Sequence, residues 1–417
     1  MYPNAMDKVK KITEGALQNC FILNRWPQFN SYSEHVASLS KEVLKHRGEW
    51  LIELDIYSIF IDHVYRSLVA AYPENSEITG NLKSLLSGEQ FGSLSSFISS
   101  YYESIPREYD VYLPLPSIKG IELESLEIYP GVWIKTFTKP EEIPGGYQGG
   151  LLELFRNQFE TNKVYLCIRE KGYSGGSIEN SCTREALSGF KLLLHAGIFR
   201  TLFKLEEKRP VGLGLMGSYG HHQIPKISLI SVDLLADEER IINSELSLDL
   251  TRFIHKVCLD IDMDFVKKAK EAGDEQFKSL LLNIFKKSAQ LSQQRGEHVS
   301  HIKSAIEWAI DAKTEENTTL SFIQNCIGLE CILGEDMGDL PVTTTLADRC
   351  SYLIGTDPKG RKTIREKFKK LYKIRSKLVH GNVAKLSEDA NEYHRWGQII
   401  LDFAIAKEIK NYKVEEI

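Results

Sequence analysis

The sequence predicts a multidomain α+β protein whose C-terminal part is an all-α helical bundle. The chain has 417 residues, more than one hydrophobic core usually holds. Short β-branched and aromatic runs separated by proline and glycine occupy its middle, and apolar residues with the period of a helix occupy both ends. We therefore expect four segments: an N-terminal helical region over 1–108, an α+β domain over 109–250, a helical connector over 251–294 and the bundle over 295–417.

The N-terminal region carries two periodic stretches typical of helices. One opens at Tyr32, and a strongly apolar one runs from Trp50 to Val69. In the middle of the chain the pattern predicts strands at 111–116, 121–123, 132–134, 164–168 and 227–232, and a helix at 183–203. A glycine-rich loop is expected between this helix and the last strand, through Gly212, Gly214, Gly217 and Gly220.

The C-terminal bundle is predicted to consist of five helices: His298–Lys313, Glu316–Leu333, Thr344–Leu353, Lys359–Val379 and Glu388–Lys410. Threonine hydroxyls at 343–345 can cap the third helix at its N-terminus. Gly381 stands where a left-handed residue would end the fourth helix.

Composition is that of an ordinary folded protein, with 42% hydrophobic and 26% charged residues. The N-terminus lacks the apolar core of a signal peptide, and no run approaches the roughly 18 apolar residues of a membrane span. We therefore expect a cytoplasmic protein without a membrane partner. Seven scattered cysteines without a Cys-x-x-Cys motif indicate buried thiols rather than disulfides or a zinc site. No cofactor is expected.

A net charge of −5 gives no overall attraction to nucleic acid, so any such contact must be local. One basic cluster exists between Lys359 and Lys377, where ten lysines and arginines are opposed only by Glu366. The cluster is either a solvated helix face or a nucleic-acid contact.

Arg375 is the anomaly of this basic helix. It projects within the apolar stripe formed by Ile364, Phe368, Leu371, Ile374 and Leu378. A buried guanidinium needs a partner, and His380 would point about 140° away on an ideal helix. The two side chains converge only if the helix unwinds at Gly381 or if a second subunit completes the site. In the structural alternative, Arg375 pairs with Glu330 and His380 interacts with the C-terminal end of the helix dipole.

Residues 322–333, 346–350 and 371–381 resemble the C-terminal HEPN domain of the Apea-like branch, and the resemblance covers about residues 295–415. The family signature is an arginine and a histidine separated by four to six residues near the end of the last long core helix. A polar residue, most often asparagine, commonly follows the arginine. Arg375 and His380 match this signature, and Ser376 takes the polar position without being asparagine.

The resemblance implies a metal-independent endoribonuclease that works as a homodimer with the two signature helices face to face. Arg375 and His380 would be catalytic, and Ser376, Asn382 and Tyr372 would support them. The RNA, a tRNA or another structured RNA, would be held by four lysines: Lys369, Lys370, Lys373 and Lys377.

Several members of the family are antiviral-defence proteins or toxins, so the N-terminal region is expected to sense a trigger. An alternative from another functional class stays open. In that alternative the bundle is a non-catalytic HEPN scaffold that binds RNA, a nucleotide or a protein partner.

Two other groups of residues are weaker candidates for a catalytic or metal-binding site. Gly217-Ser218 followed by Asp233 is similar to the arrangement in minimal nucleotidyltransferases, but two-metal phosphoryl transfer needs at least a pair of carboxylates. An apolar helical run contains the possible metal ligands Glu53, Asp55, Asp62 and His63. Neighbours such as Asp62 and His63 face apart on a helix, so we expect packing and surface charge there instead of a metal site.

Overall fold

The structure, a computed structural model, describes residues 2–73, 77–118, 123, 125–144, 159–206, 225–235, 240–259, 271, 273–334, 342–381 and 383–412. The predicted glycine-rich loop at 212–220 and the predicted site residue Asn382 lie outside them. The protein is a mixed α+β protein with a helical C-terminal region, which confirms the fold class at this level. Contacts between residues divide the chain into two compact units.

The first unit comprises Met1–Val111, Arg169–Glu185 and Ile230–Ser244. Its helices are α1 (Pro3–Asn19), α2 (Phe29–Arg47), α3 (Glu53–Ala71), α4 (Leu82–Leu85) and α5 (Gly88–Ser104). A small sheet lies among them, in the order β2-β1-β3, with β1 (Phe21–Leu23), β2 (Trp26–Pro27) and β3 (Gly80–Asn81). The N-terminal region is therefore helical as predicted, with a small sheet that the pattern did not predict.

Apolar faces of these helices form the core of the first unit, where Leu17, Val36 and Phe60 are fully buried. The start of α3 is held by Asp55, whose carboxylate accepts hydrogen bonds from the backbone N–H of Ile52 at 2.9 Å and the side-chain amide of Asn180 at 2.6 Å. Burial raises the pKa of Asp55, and these two hydrogen bonds act in the opposite direction. Asp55 thus has a structural role.

A six-stranded sheet has the order β10-β9-β4-β7-β6-β5. Its strands are β4 (Arg107–Pro114), β5 (Ser125–Tyr129), β6 (Val132–Thr136), β7 (Val164–Gly172), β9 (Ser228–Asp233) and β10 (Arg240–Glu245). Strands β5, β6 and β7 are antiparallel neighbours, with Ile134 of β6 opposite both Leu126 and Leu166. The predicted strands at 111–116, 132–134, 164–168 and 227–232 are confirmed, and Ile121 and Glu122 of the fifth lie outside the described residues.

Helix α6 (Ser181–Phe199) is shorter than the helix predicted at 183–203. The chain leaves the helical conformation near Thr201, whose φ is +57°, and strand β8 (Phe203–Leu205) begins two residues later. Strand β8 pairs with β11 (Val257–Leu259). Strand β11 lies in the segment 251–294, which the sequence predicts to be helical throughout. Leu202 and Phe203 are buried in this arrangement. Their apolar side chains fit the helical spacing of the sequence, although the helix has already ended.

The second unit comprises Tyr112–Ile168, Ala186–Leu229 and Glu245–Ile417. Its helices after the sheet are α7 (Leu248–Lys256), α8 (Asp274–Ser292), α9 (Glu297–Thr314), α10 (Thr318–Leu333), α11 (Val342–Ile354), α12 (Pro358–Val379) and α13 (Asn391–Asn411). Helices α9 to α13 are the five predicted bundle helices, and every boundary lies within three residues of its predicted position.

Asp402 of α13 ties together helices α6 and α9 in the second unit. Its carboxylate lies 3.0 Å from Nε2 of His195 and 2.8 Å from Nζ of Lys313. Burial alone would raise the pKa of Asp402, but the charge of Lys313 and the hydrogen bond from His195 outweigh it and lower that pKa to about 2. Asp402 is therefore ionised at neutral pH and accepts from the buried His195 and the half-buried Lys313.

All seven cysteines are free thiols, of which six are buried and Cys331 is half-buried, as predicted. Along the described part of the chain, no helix has both the length and the apolar character needed to cross a membrane.

Candidate active site

The predicted site lies on α12, and local sequence determines where this helix starts and stops. Asp357 caps the N-terminus by accepting hydrogen bonds from the backbone N–H groups of Lys359 at 3.0 Å and Gly360 at 2.9 Å. At the other end Gly381 has φ +72°, and its N–H donates to the carbonyl of Leu378 at 3.2 Å. Glycine occupies this left-handed conformation readily, so the predicted C-terminal cap is confirmed.

The buried face of α12 fixes how the helix is rotated about its axis. Phe368, Leu371 and Tyr372 are the buried residues of the helix, and the rings of Phe368 and Tyr372 stack at 5.1 Å. Leu371 packs against Gly397 of α13, where an added Cβ would come within 3.0 Å of the leucine side chain. Glycine at 397 therefore permits the close approach of these two helices.

Glu330 of α10 receives two side chains from this face. The hydroxyl of Tyr372 donates to Oε1 of Glu330 at 2.6 Å, and Nη2 of Arg375 lies 3.2 Å from Oε1 and 3.3 Å from Oε2. Burial, followed by the hydrogen bond to Glu330, holds the pKa of Tyr372 well above its usual range. Within a single chain, Arg375 is therefore paired with Glu330, which is the structural alternative considered for this residue.

The pairing of Arg375 is nevertheless incomplete. Only Nη2 contacts Glu330, and among the described residues the buried Nε of Arg375 has no hydrogen-bond partner. Arg107 of the first unit shows a two-point pairing for comparison. Its Nε and Nη2 donate to the two oxygens of Asp233 at 2.9 and 3.1 Å. The side chain of Arg375 also keeps 25% of its surface exposed. Its guanidinium therefore has donors left for a second anion.

Four lysines form the outward face of α12: Lys369, Lys370, Lys373 and Lys377. All four are exposed, and no carboxylate in the described part of the chain lies within 4.0 Å of their ammonium groups. Two other basic residues of the helix are neutralised, since Arg365 pairs with Asp348 at 2.6 Å and Lys367 with Glu392 at 3.2 Å. These four lysines, here called the lysine face, therefore carry positive charge that no ion pair among the described residues neutralises, with Glu366 as the one acidic residue of the helix.

His380 extends the lysine face and does not approach the buried side of the helix. Its backbone N–H donates to the carbonyl of Ser376 at 3.0 Å, so the chain still follows the helical path, and both side chains are exposed. At about 100° per residue, His380 lies within roughly 20° of Lys373 and about 140° from Arg375. One chain therefore does not bring Arg375 and His380 to one face.

The two weaker groups of candidate residues have structural roles. Asp233 is held by Arg107, and Asp62 pairs with Arg66 and Arg240 at 3.0 Å. His63 is buried beside aromatic rings, and burial lowers its pKa to about 4. Within the described residues, no three His, Cys, Asp or Glu side chains are grouped so that they could hold a metal ion.

Comparison with known proteins found no match: no protein-family model matches the chain, and no curated protein or solved structure is significantly similar to it. The resemblance to the HEPN family therefore rests on the residues of the C-terminal helices, and the activity that it implies is a proposal.

Arg375 and Glu330 should show a measurable coupling energy. We expect the double-mutant cycle of Arg375→Ala and Glu330→Ala to give about 1 kcal/mol in urea unfolding, because both side chains are partly buried. The more exposed Arg365–Asp348 pair of the same helix is the matched control and should give about 0.5 kcal/mol or less.

His380→Ala should change the free energy of unfolding by no more than about 0.5 kcal/mol, because the side chain is exposed. A coupling energy of zero for Arg375 and Glu330, or a large loss of stability from His380→Ala, would contradict this account of the two faces.

Proposed function

We propose that the protein is a cytoplasmic, metal-independent endoribonuclease of the HEPN type, active as a homodimer. Its C-terminal bundle would cleave a structured RNA such as a tRNA, and its N-terminal region would sense a trigger in antiviral defence or as part of a toxin. The observation that carries the proposal is on α12. The half-engaged guanidinium of Arg375 shares this helix with the lysine face and with His380, which is exposed at its end.

The chemistry needs a proton acceptor and a stabiliser of negative charge. The imidazole of His380 would take the proton of a ribose 2′-hydroxyl, whose oxygen then attacks the adjacent phosphorus and expels the 5′-oxygen of the next nucleotide. The expelled oxygen would take a proton from water, and His380 would later release its own proton to water. Arg375 would neutralise the charge that develops on the phosphoryl oxygens. The lysine face would bind the phosphates on either side of the cut. The products are a 2′,3′-cyclic phosphate and a 5′-hydroxyl.

The angle between the two residues supports a dimer. Because Arg375 and His380 point about 140° apart in one chain, the site would be composite, with His380 of one chain beside Arg375 of its partner. The incompletely paired guanidinium suits this exchange, since a phosphate can replace Glu330 as its anion.

A second function is favoured by the same ion pair. If Glu330 retains Arg375 permanently, the bundle is a non-catalytic scaffold that binds RNA through the lysine face. The two functions differ in what His380 does, because a scaffold has no use for an exposed imidazole as a proton acceptor.

RNA cleavage should depend on His380 and not on a metal ion. We expect the purified protein to cut RNA in EDTA, and His380→Ala to lower the rate by about 100-fold or more while the protein stays folded. His298→Ala is the matched control, because His298 is an exposed histidine of the same unit and lies outside α12. Mass spectrometry of the fragments should detect 5′-hydroxyl and 2′,3′-cyclic phosphate ends.

Equal cleavage by the wild-type protein and His380→Ala would exclude the proposed endoribonuclease activity. RNA binding that persists in both, without cleavage, would establish the scaffold.

Activity should be restored when two inactive variants are mixed. In an equal mixture of Arg375→Ala and His380→Ala chains, half of the dimers contain one chain of each kind, and one of their two composite sites is intact. We therefore expect about a quarter of the wild-type rate. Each variant alone, folded and dimeric by light scattering, is the control. A mixture without activity, or a protein that stays monomeric at micromolar concentrations, would disprove the composite site.

The lysine face should supply the salt-dependent part of RNA affinity. Replacing Lys369, Lys370 and Lys373 together by alanine should reduce the slope of log K against log salt by about 2 for single-stranded RNA, since each lost phosphate contact contributes roughly 0.7. The matched control removes three exposed lysines of the first unit, Lys10, Lys11 and Lys41. If both triple variants bind RNA alike, the lysine face is only a solvated surface.

A further inference from the structure

The first unit contains a cavity of about 970 Å³, and all the described residues that line it belong to this unit. Helices α3 and α5 form two of its walls, and side chains from β4, β9 and β10 complete it. Its volume lies within the range of roughly 300–1,000 Å³ that is typical of small-molecule sites.

One side of the cavity is aromatic. His63 lies edge-on to the ring of Phe97 at 5.0 Å and to the ring of Tyr101 at 4.9 Å. Phe97 keeps 57% of its surface exposed, unlike the buried aromatic residues of the unit's core. Burial lowers the pKa of His63 to about 4, so this wall is uncharged at neutral pH. An exposed phenylalanine at the edge of a cavity offers a flat apolar surface to a planar ring.

Another side is cationic, with Arg66, Arg107 and Arg240. Asp233 neutralises Arg107 through two hydrogen bonds. Arg66 and Arg240, however, share one carboxylate, that of Asp62, each at 3.0 Å. Counted over the described residues, these two guanidinium groups and their one carboxylate leave an excess of one positive charge.

The guanidinium of Arg240 also has spare donors. Its Nη2 donates to Asp62, and its Nη1 makes only a long hydrogen bond of 3.4 Å to the hydroxyl of Tyr101. Arginine donors of this kind are suited to phosphate and carboxylate groups. Among the described residues, Glu89 is one further carboxylate that lines the cavity. Glu89 is exposed, as Arg66 is, so solvent screens the charges of both side chains.

We propose that this cavity binds a small anionic ligand that carries a planar ring, of the nucleoside phosphate class. The ring would lie against Phe97, and the phosphate would bind Arg66 and Arg240. The site is separate from the proposed ribonuclease site in its residues and its chemistry, so either proposal can fail without the other. It gives the first unit a ligand that can act as a trigger.

The test measures binding to the 417-residue chain by isothermal titration calorimetry. The probes are the four nucleoside monophosphates, adenosine as a ring without an anion, and ribose 5-phosphate as an anion without a base. We expect at least one monophosphate to bind, with adenosine and ribose 5-phosphate weaker by roughly tenfold or more, because each lacks one of the two contacts. No binding of any monophosphate at millimolar concentration, or equal binding of ribose 5-phosphate, would overturn the proposal.

Two variants at the edge of the cavity locate the site. Phe97→Ala should weaken binding roughly tenfold, as expected when a base loses its stacking partner. Arg66→Gln should weaken it roughly threefold and make it less sensitive to salt, because Arg66 is 58% exposed. Both residues are exposed, and circular dichroism will show that the variants are folded.

Matched controls exist in the same unit. Phe29 is 58% exposed and lies outside the cavity, and Lys45 is 59% exposed and pairs with a carboxylate as Arg66 does. Phe29→Ala and Lys45→Gln should bind the monophosphate as the wild type does. Equal weakening by Phe29→Ala and Phe97→Ala would place the ligand elsewhere and refute the assignment to this cavity.

Discussion

The rotation of helix α12 about its own axis is the constraint on which the candidate site depends. Phe368, Leu371 and Tyr372 must be buried, and Glu330 of α10 receives Tyr372 and Arg375 on the same side. With that side fixed, the lysine face can only point outward, and His380 follows it because the helix continues for the full turn before Gly381. The three buried residues and the carboxylate of Glu330 thus place Arg375 on the packed side of α12 and His380 on its exposed side.

This division changes how the spacing of the motif is understood. An arginine and a histidine five residues apart look like neighbours in sequence, but their separation on a helix is close to one and a half turns. Within one chain, Arg375 is therefore part of the packing between α10 and α12, and His380 is part of the solvent-exposed end. Glu330 accepts hydrogen bonds from both Arg375 and the buried Tyr372, so removing Glu330 would leave two donors without this acceptor.

The helical half of the protein could be predicted closely because its signals are local. Asp357-Pro358 marks the start of α12, Gly381 marks its end, and apolar residues at helical spacing lie between them. The pairing of Arg375 with Glu330 was also open to prediction, since a guanidinium in an apolar stripe needs a carboxylate. Short strands were not predictable in the same way. β2 and β3 have two residues each, too few for an alternating pattern, and Phe203 continued a helical pattern into a strand.

The cavity of the first unit illustrates a second limit. Arg66, Phe97 and Arg240 belong to a helix, another helix and a strand, and more than 140 residues separate the last two along the chain. No linear spacing relates them, because the fold of β10 beside the N-terminal helices is what assembles the walls. Asp62 and His63 were noticed as adjacent polar residues, yet their significance comes from arginines and aromatic rings that sequence alone does not place near them.

If the protein is the proposed ribonuclease, the ion pair between Arg375 and Glu330 has a consequence for its activity in a cell. If a lone chain keeps its arginine on Glu330, it is inert, and an active site forms only when two chains meet. For dilute protein, the number of pairs grows with the square of concentration, so doubling the amount of protein would quadruple the cleaving capacity. A modest rise in synthesis would then raise the activity of the proposed enzyme steeply, without any change in the molecule itself.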